Sequence, residues 1–129
     1  MKMKANCIIG VLFIVFLLTL SFKARGLEVD YQEAWCPNKP GTTLRDPLSG
    51  KVVGYVDCLT KTHAYEFDFA KSMKQYEAIG QALKYAMFTG RRPGIVFIAA
   101  EGRKNKYVME AQAIINHYNL PIDIEVMPK

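Results

Sequence analysis

Three carboxylates are spaced in a way that could serve hydrolytic chemistry. Asp57 ends one expected strand, and Glu66 and Asp68 stand two residues apart on the next. Alternate residues of a strand share a face, so the side chains of Glu66 and Asp68 project from the same face about 7 Å apart. A short turn between the two strands lets Asp57 approach them. Converging carboxylates repel each other and need a cation, and an all-oxygen site suits Mg²⁺ or Mn²⁺. The alternative is the ordinary solvated face of an antiparallel pair.

A polar stripe on the following helix could overhang these acids. Gln81 and Tyr85 are four residues apart and share a helix face, and Lys74 lies seven residues before Gln81 on nearly the same line. If the helix packs beside the strand, these side chains reach the carboxylates. The alternative is an ordinary helix border, where lysine, glutamine and tyrosine are common.

Hydrophobic patterning predicts the elements that must position these residues. Strict alternation predicts a half-buried strand, a stripe at three- and four-residue steps predicts a helix, and an unbroken apolar run predicts a central strand covered on both faces. We expect a mixed α/β sheet with helices on both faces: three antiparallel strands, then right-handed parallel crossovers. The expected elements are a helix at 27–36, two short strands around the turn 46–50 with the second continuing over 52–59, a strand at 63–69, a helix at 72–89, a strand at 94–100, a helix at 104–118 and a strand at 122–126.

The residues and the order of elements together resemble the PD-(D/E)XK nuclease superfamily. The resemblance is carried by Asp57, by Glu66-Phe67-Asp68, and by Gln81-Ala82-Leu83-Lys84-Tyr85, whose Gln-x-x-x-Tyr spacing is similar to the RecB-type branch. It implies a restriction-endonuclease-like αβββαβ core, here followed by a C-terminal helix and strand. It further implies that Asp57 and Glu66 bind Mg²⁺, that Gln81 and Tyr85 position the acids or the nucleic acid, and that Glu33 is an accessory acid on the first helix.

Asp68 departs from the superfamily pattern, which normally has lysine two residues after the acid. That lysine orients or activates the attacking water and offsets charge in the transition state. Two replacements are open: Asp68 could bind a second metal ion, or Lys71 or Lys74 could reach back into the site from the start of the helix. The sequence therefore leaves two hypotheses for the function. The first is an exported metal-dependent phosphodiesterase acting on DNA or RNA. The second is a catalytically inactive module of the same fold that binds protein or nucleic acid outside the cytoplasm.

Residues 1–26 are typical of an export signal. Lys2 and Lys4 precede the 18 uncharged residues 5–22, and Ala24 and Gly26 place small residues ahead of a cut before residue 27. The alternative is an uncleaved membrane anchor, since about 18 residues is the lower limit for a spanning helix. With either interpretation, we expect residues 27–129 to form one domain outside the cytoplasm. If the signal is cleaved, this domain is periplasmic or secreted and is not permanently inserted in the membrane.

Cysteine content fits an oxidising compartment. Cys36 and Cys58 are the two cysteines beyond residue 26, and two cysteines in an exported domain can pair. A bridge between them would close a 22-residue loop and stabilise the fold by roughly 3 kcal/mol. The alternative is two buried thiols.

Net charge gives no strong signal for a polyanion. The chain carries +5, but four of its 17 basic residues precede residue 27, which leaves 13 basic and 12 acidic residues in the expected domain. Long-range steering toward nucleic acid is therefore weak. Half of the 129 residues are apolar, which allows a packed core and excludes a generally disordered chain.

Overall fold

The computed structural model describes residues 28–37 and 40–129, so the export signal or anchor predicted for residues 1–26 lies outside the described residues. Within this part of the chain, no helix is both long and apolar enough to cross a membrane. The described elements are helix α1 (28–35), strands β1 (Thr42–Arg45), β2 (Val52–Val56), β3 (Cys58–Leu59) and β4 (His63–Phe69), helix α2 (Lys74–Thr89), strand β5 (Arg92–Ile98), a 3₁₀ turn (Gly102–Lys104), helix α3 (Lys106–His117) and strand β6 (Asp123–Met127).

A four-stranded sheet in the order β3-β4-β5-β6 forms the centre of the fold. β3 and β4 are antiparallel, whereas β4, β5 and β6 are mutually parallel, so α2 and α3 are the two crossover helices. Six of the seven residues of β5 are buried, as expected for a central strand covered on both faces. The mixed α/β fold predicted from the sequence is confirmed.

The strands before α2 do not form the single antiparallel meander that we expected. β1 and β2 make a separate two-stranded sheet, and the chain bends at Asp57 before β3 begins. The Asp57 carbonyl accepts a hydrogen bond from Gly41 N at 3.1 Å, and its side chain accepts one from Phe67 N at 2.8 Å. Asp57 thus joins the two sheets with its own polar groups, and the prediction of one continuous strand over 52–59 is wrong.

Helices cover both faces of the four-stranded sheet. On one face, α2 and α3 pack against β5 and β6 around Ile95, Phe97 and Ile124. On the other face, Trp35 of α1 makes edge contacts with two aromatic rings of β4, Tyr65 and Phe67, at centroid distances of 4.7 and 5.5 Å. Glu66 and Asp68 alternate with these rings along β4 and therefore point to the face that α2 covers.

The start of α2 determines where Lys74 stands. The helix begins at Lys74, later than the predicted residue 72, because Met73 has a left-handed backbone with φ 68°. That conformation costs a residue with a side chain roughly 1–2 kcal/mol. The helix ends as predicted at Gly90, whose φ is 66° and whose N–H donates to the Ala86 carbonyl.

Cys36 and Cys58 pair as a disulfide, with their Cα atoms 5.7 Å apart. Both residues are buried, in the cluster that includes Tyr65 and Phe67. The bridge fastens the residue that follows α1 to the residue that follows Asp57, so it holds α1 against the edge of the sheet where the predicted acids lie. Such bridges persist mainly in oxidising compartments outside the cytoplasm.

Candidate functional site

Asp57 supplies the first predicted carboxylate at the edge of β4. The bend between β2 and β3 leaves its side chain beside β4, where its Oδ2 accepts the Phe67 backbone N–H at 2.8 Å. Burial raises the pKa of Asp57, while the hydrogen bonds from Phe67 and from the Glu66 carboxyl act in the opposite direction. The carboxylate is therefore fixed in place by the sheet and is linked to Glu66.

Glu66 is the most perturbed acid of the site. It is 5% exposed, on the β4 face that α2 covers, and its Oε2 is buried without a hydrogen-bond partner. Burial, followed by the negative charge of Asp57 and a hydrogen bond between the two carboxyl groups, raises the pKa of Glu66 to about 10. Asp68 and Glu28 add smaller repulsions in the same direction. Without a cation nearby, Glu66 is therefore protonated at neutral pH.

Asp68 and Lys74 form an ion pair at the start of α2. Lys74 Nζ lies 3.5 Å from Asp68 Oδ2 and 2.8 Å from Glu77 Oε2. Burial raises the pKa of Asp68 to about 6 against the opposing effect of Lys74. The hydrogen bond to Glu77 is the main cause of the raised pKa of Lys74. Lys74 therefore remains charged beside the Asp68 carboxyl group.

Gln81 and Tyr85 meet as their helical spacing predicted. The Tyr85 hydroxyl donates to Gln81 Oε1 at 2.8 Å, and Tyr85 is 6% exposed. Burial raises the pKa of Tyr85, and the charges of Glu66 and Asp57 add to the effect. Tyr85 therefore stays protonated next to the two acids, and Gln81 orients its hydroxyl.

Glu28 of α1 is a site residue that the sequence analysis missed. Burial, followed by repulsion from Asp57 and Asp68, raises its pKa to about 7. Glu33, which the resemblance implied as the accessory acid, is exposed and does not line the same cavity, because five residues along a helix turn it away from Glu28. The available signal was the i,i+4 pair with Gln32, which is buried and donates to Glu28 Oε1 at 3.3 Å.

An open cavity of about 410 Å³ brings these groups to one surface, which we call the acidic groove. Its polar lining consists mainly of three acids and two lysines, and the Phe69 ring contributes to its wall. Glu66 is buried and is not part of this lining, although its neighbour Asp57 is. The charged residues that line the groove are Glu28, Asp57, Asp68, Lys71 and Lys74.

The fit of this arrangement to a metal ion is partial. Among residues 28–37 and 40–129, no group of three or more histidine, cysteine, aspartate or glutamate side chains is arranged to hold a metal ion. Asp57, Glu66 and Asp68 thus do not form a three-ligand group, and Asp68 pairs with Lys74 instead. Mg²⁺ commonly takes only one or two protein carboxylates together with waters and substrate phosphates. Asp57 and Glu66 offer that donor set, and an unpartnered buried oxygen such as Glu66 Oε2 is an atom that a cation would satisfy.

Comparison with known proteins adds no family assignment. No protein-family model matches the chain, and neither a curated protein nor a solved structure matches it. The likeness to the PD-(D/E)XK superfamily therefore stays a prediction, which rests on the motif residues and the order of elements expected from the sequence.

Proposed function

We propose that the chain is a metal-dependent phosphodiesterase that acts on DNA or RNA. One observation carries the proposal: Glu66 is buried beside Asp57, which lines an open groove, and one carboxyl oxygen of Glu66 has no hydrogen-bond partner. Leaving a buried polar group unsatisfied costs roughly 1–3 kcal/mol. Strongly perturbed acids in a cleft are typical of functional sites, where that cost is offset by chemistry.

The proposal gives the site residues roles toward Mg²⁺ or Mn²⁺. Asp57 and Glu66 would hold the ion, whose chemistry is to polarise a phosphoryl oxygen and to lower the pKa of a bound water. Tyr85 donates a hydrogen bond to Gln81 and lies beside Asp57 and Glu66. Gln81 and Tyr85 are therefore positioning residues. Glu28 adds a fourth acid whose charge depends on pH near neutrality.

Lys74 is the best substitute for the lysine that Asp68 replaces. It lines the acidic groove and is held 3.5 Å from Asp68, so an ammonium group stands at the site although its side chain starts on α2 rather than on β4. An ammonium donor can stabilise charge that develops on phosphoryl oxygens. Asp68 then serves to hold Lys74, and Lys71 is a second, more exposed cation on the same wall.

Cleavage assays on labelled single- and double-stranded DNA and RNA test the proposal. The purified protein should cut at least one of these in Mg²⁺ or Mn²⁺ and none in EDTA, and Asp57→Asn should abolish cutting. Glu33→Gln is the matched control, because Glu33 is an exposed acid outside the groove. Cutting that survives in EDTA or in Asp57→Asn would contradict the proposal.

A pair of variants tests the assignment to Lys74. Lys74→Gln should abolish cleavage, and adding Asp68→Lys to it should restore part of the activity, because the new lysine would project from the same face of β4 as Glu66. If Asp68 instead binds a second ion, Asp68→Lys alone should abolish the activity of the parent. Full activity in Lys74→Gln would remove Lys74 from the site.

A catalytically inactive module is the second candidate, and the aspartate at position 68 favours it. The superfamily lysine is the group whose chemistry is hardest to replace, and Lys74 is already engaged by two carboxylates. A parent protein that binds nucleic acid or protein tightly but cuts no substrate in any divalent cation would select this function.

A further inference from the structure

A second cavity, of about 400 Å³, lies beside the acidic groove at the carboxyl ends of the parallel strands. Phe69 and Lys71 line both cavities, so the two spaces share a wall. Ile98 ends β5 and Ala100 follows it, and Lys129 follows β6. We call this space the strand-end cavity. Parallel α/β sheets usually bind their ligands outside the carboxyl ends of the strands.

The lining of the strand-end cavity combines an apolar surface with cations at its rim. Phe69 and the exposed Ala100 contribute apolar surface. Lys129 Nζ lies 5.9 Å from the centroid of the Phe69 ring, and the exposed Lys71 stands between the two cavities. A nucleotide has the matching parts, since a base packs on aromatic and apolar surface while lysines contact its phosphate.

Two other polar residues that line the strand-end cavity, Asn105 and Glu101, are hydrogen-bonded to each other. The Asn105 side chain donates to Glu101 Oε2 at 2.8 Å, and its Oδ1 accepts the Tyr107 N–H at 2.9 Å as the cap of α3. Asn105 therefore holds this part of the lining in shape. The lysines of the cavity, rather than Asn105 and Glu101, offer the free contacts for a phosphate.

We propose that the strand-end cavity binds one unpaired nucleotide of the substrate, next to the phosphate held in the acidic groove. This inference rests on the proposed function and deepens it, because it names single-stranded nucleic acid as the substrate class. A base inside a duplex is stacked on both sides and cannot enter a cavity, whereas an unpaired base can. With 13 basic and 12 acidic residues beyond residue 26, the chain has little charge to grip a long duplex, and local contacts to one or two phosphates suit it better.

Binding to a fluorescently labelled oligothymidylate tests the inference, measured by anisotropy with Ca²⁺ in place of Mg²⁺. Ala100 is exposed and lines the cavity, so Ala100→Trp should fill the space and weaken binding about tenfold or more, the loss of one base contact. Ala113→Trp is the matched control, since Ala113 is an exposed alanine on α3 that does not line this cavity. Lys129→Gln should lower the slope of log affinity against log salt by about 0.7, the value for one phosphate contact on a single strand.

Three results would overturn the inference: unchanged affinity and salt slope in both variants, equal affinity for the duplex of the same length, or no oligothymidylate binding by the parent. Circular dichroism and urea unfolding check that Ala100→Trp is folded, and Lys129→Gln changes only an exposed side chain. Cleavage in Mg²⁺ is read separately. If the parent cuts nucleic acid but the variants have no effect on binding, the proposed phosphodiesterase function stands and the nucleotide subsite is refuted. If binding depends on the cavity but the parent cuts nothing, the subsite stands and the phosphodiesterase function is refuted.

Discussion

Replacing Glu66 by glutamine should change how the stability of the protein depends on pH. Glutamine has nearly the shape of a protonated glutamate but cannot ionise. The folded-state pKa of Glu66 is raised to about 10 from an ordinary value of 4.5. The folded protein therefore keeps a proton that the unfolded chain has lost, and each pH unit between these values lowers the free energy of unfolding by up to about 1.4 kcal/mol.

The clearest window lies between about pH 7.5 and pH 9. Asp68 and Glu28, with pKa values of about 6 and about 7, are largely ionised in the folded state there and add little slope. The parent should lose about 2 kcal/mol of stability across this window, and Glu66→Gln should lose much less. Urea unfolding followed by the fluorescence of Trp35, the single tryptophan, which packs on Tyr65 and Phe67, measures the difference.

Controls and a metal titration complete this test. Glu33→Gln removes an exposed acid and should keep the slope of the parent. Because Mg²⁺ binding requires the ionised carboxylate, Mg²⁺ at about pH 8 should stabilise the parent and leave Glu66→Gln unchanged. A parent slope that persists in Glu66→Gln, or equal stabilisation of both by Mg²⁺, would refute the reasoning.

Two further predictions concern the fold that carries the site. Gly94→Ala would place a Cβ 2.3 Å from the ring of Tyr65 and should lower the free energy of unfolding by roughly 1–3 kcal/mol. Gly80→Ala, on the exposed side of α2, meets no atom within 4 Å and should raise the free energy of unfolding by roughly 0.5–1 kcal/mol. Urea unfolding of the two variants gives the comparison, and equal effects would contradict the prediction. Reduction of the bridge between Cys36 and Cys58 should cost about 3 kcal/mol, measured by unfolding with and without reductant, and free thiols from this pair in the denatured, unreduced protein would end the assignment.

The sequence by itself determined the helices and most of the strands in their order, but not the break at Asp57 that separates β2 from β3. The alternation of β4, the helical periodicity of α2, the continuous apolar run of β5 and the even cysteine count beyond residue 26 each led to a strand, a helix or a bridge that the structure has. The burial of β4 differs from the prediction, because both of its faces are covered rather than one. These features depend on residues near one another in the chain, so a local pattern predicts them. The helical spacing of Gln81 and Tyr85 likewise predicted that they share one face of α2, where the structure shows a hydrogen bond between them.

Tertiary packing decided which of the other acids meet at the site and how deeply they are buried. Asp57 breaks the expected strand because its side chain accepts a backbone N–H of β4, a contact across ten residues that hydrophobic patterning does not contain. Glu28 rather than Glu33 faces the groove because the docking of α1 on the sheet, held by the disulfide, fixes which side of the helix turns inward. The burial that raises the pKa of Glu66 is a property of the assembled sheet and α2 together, since desolvation depends on every atom around the carboxyl group.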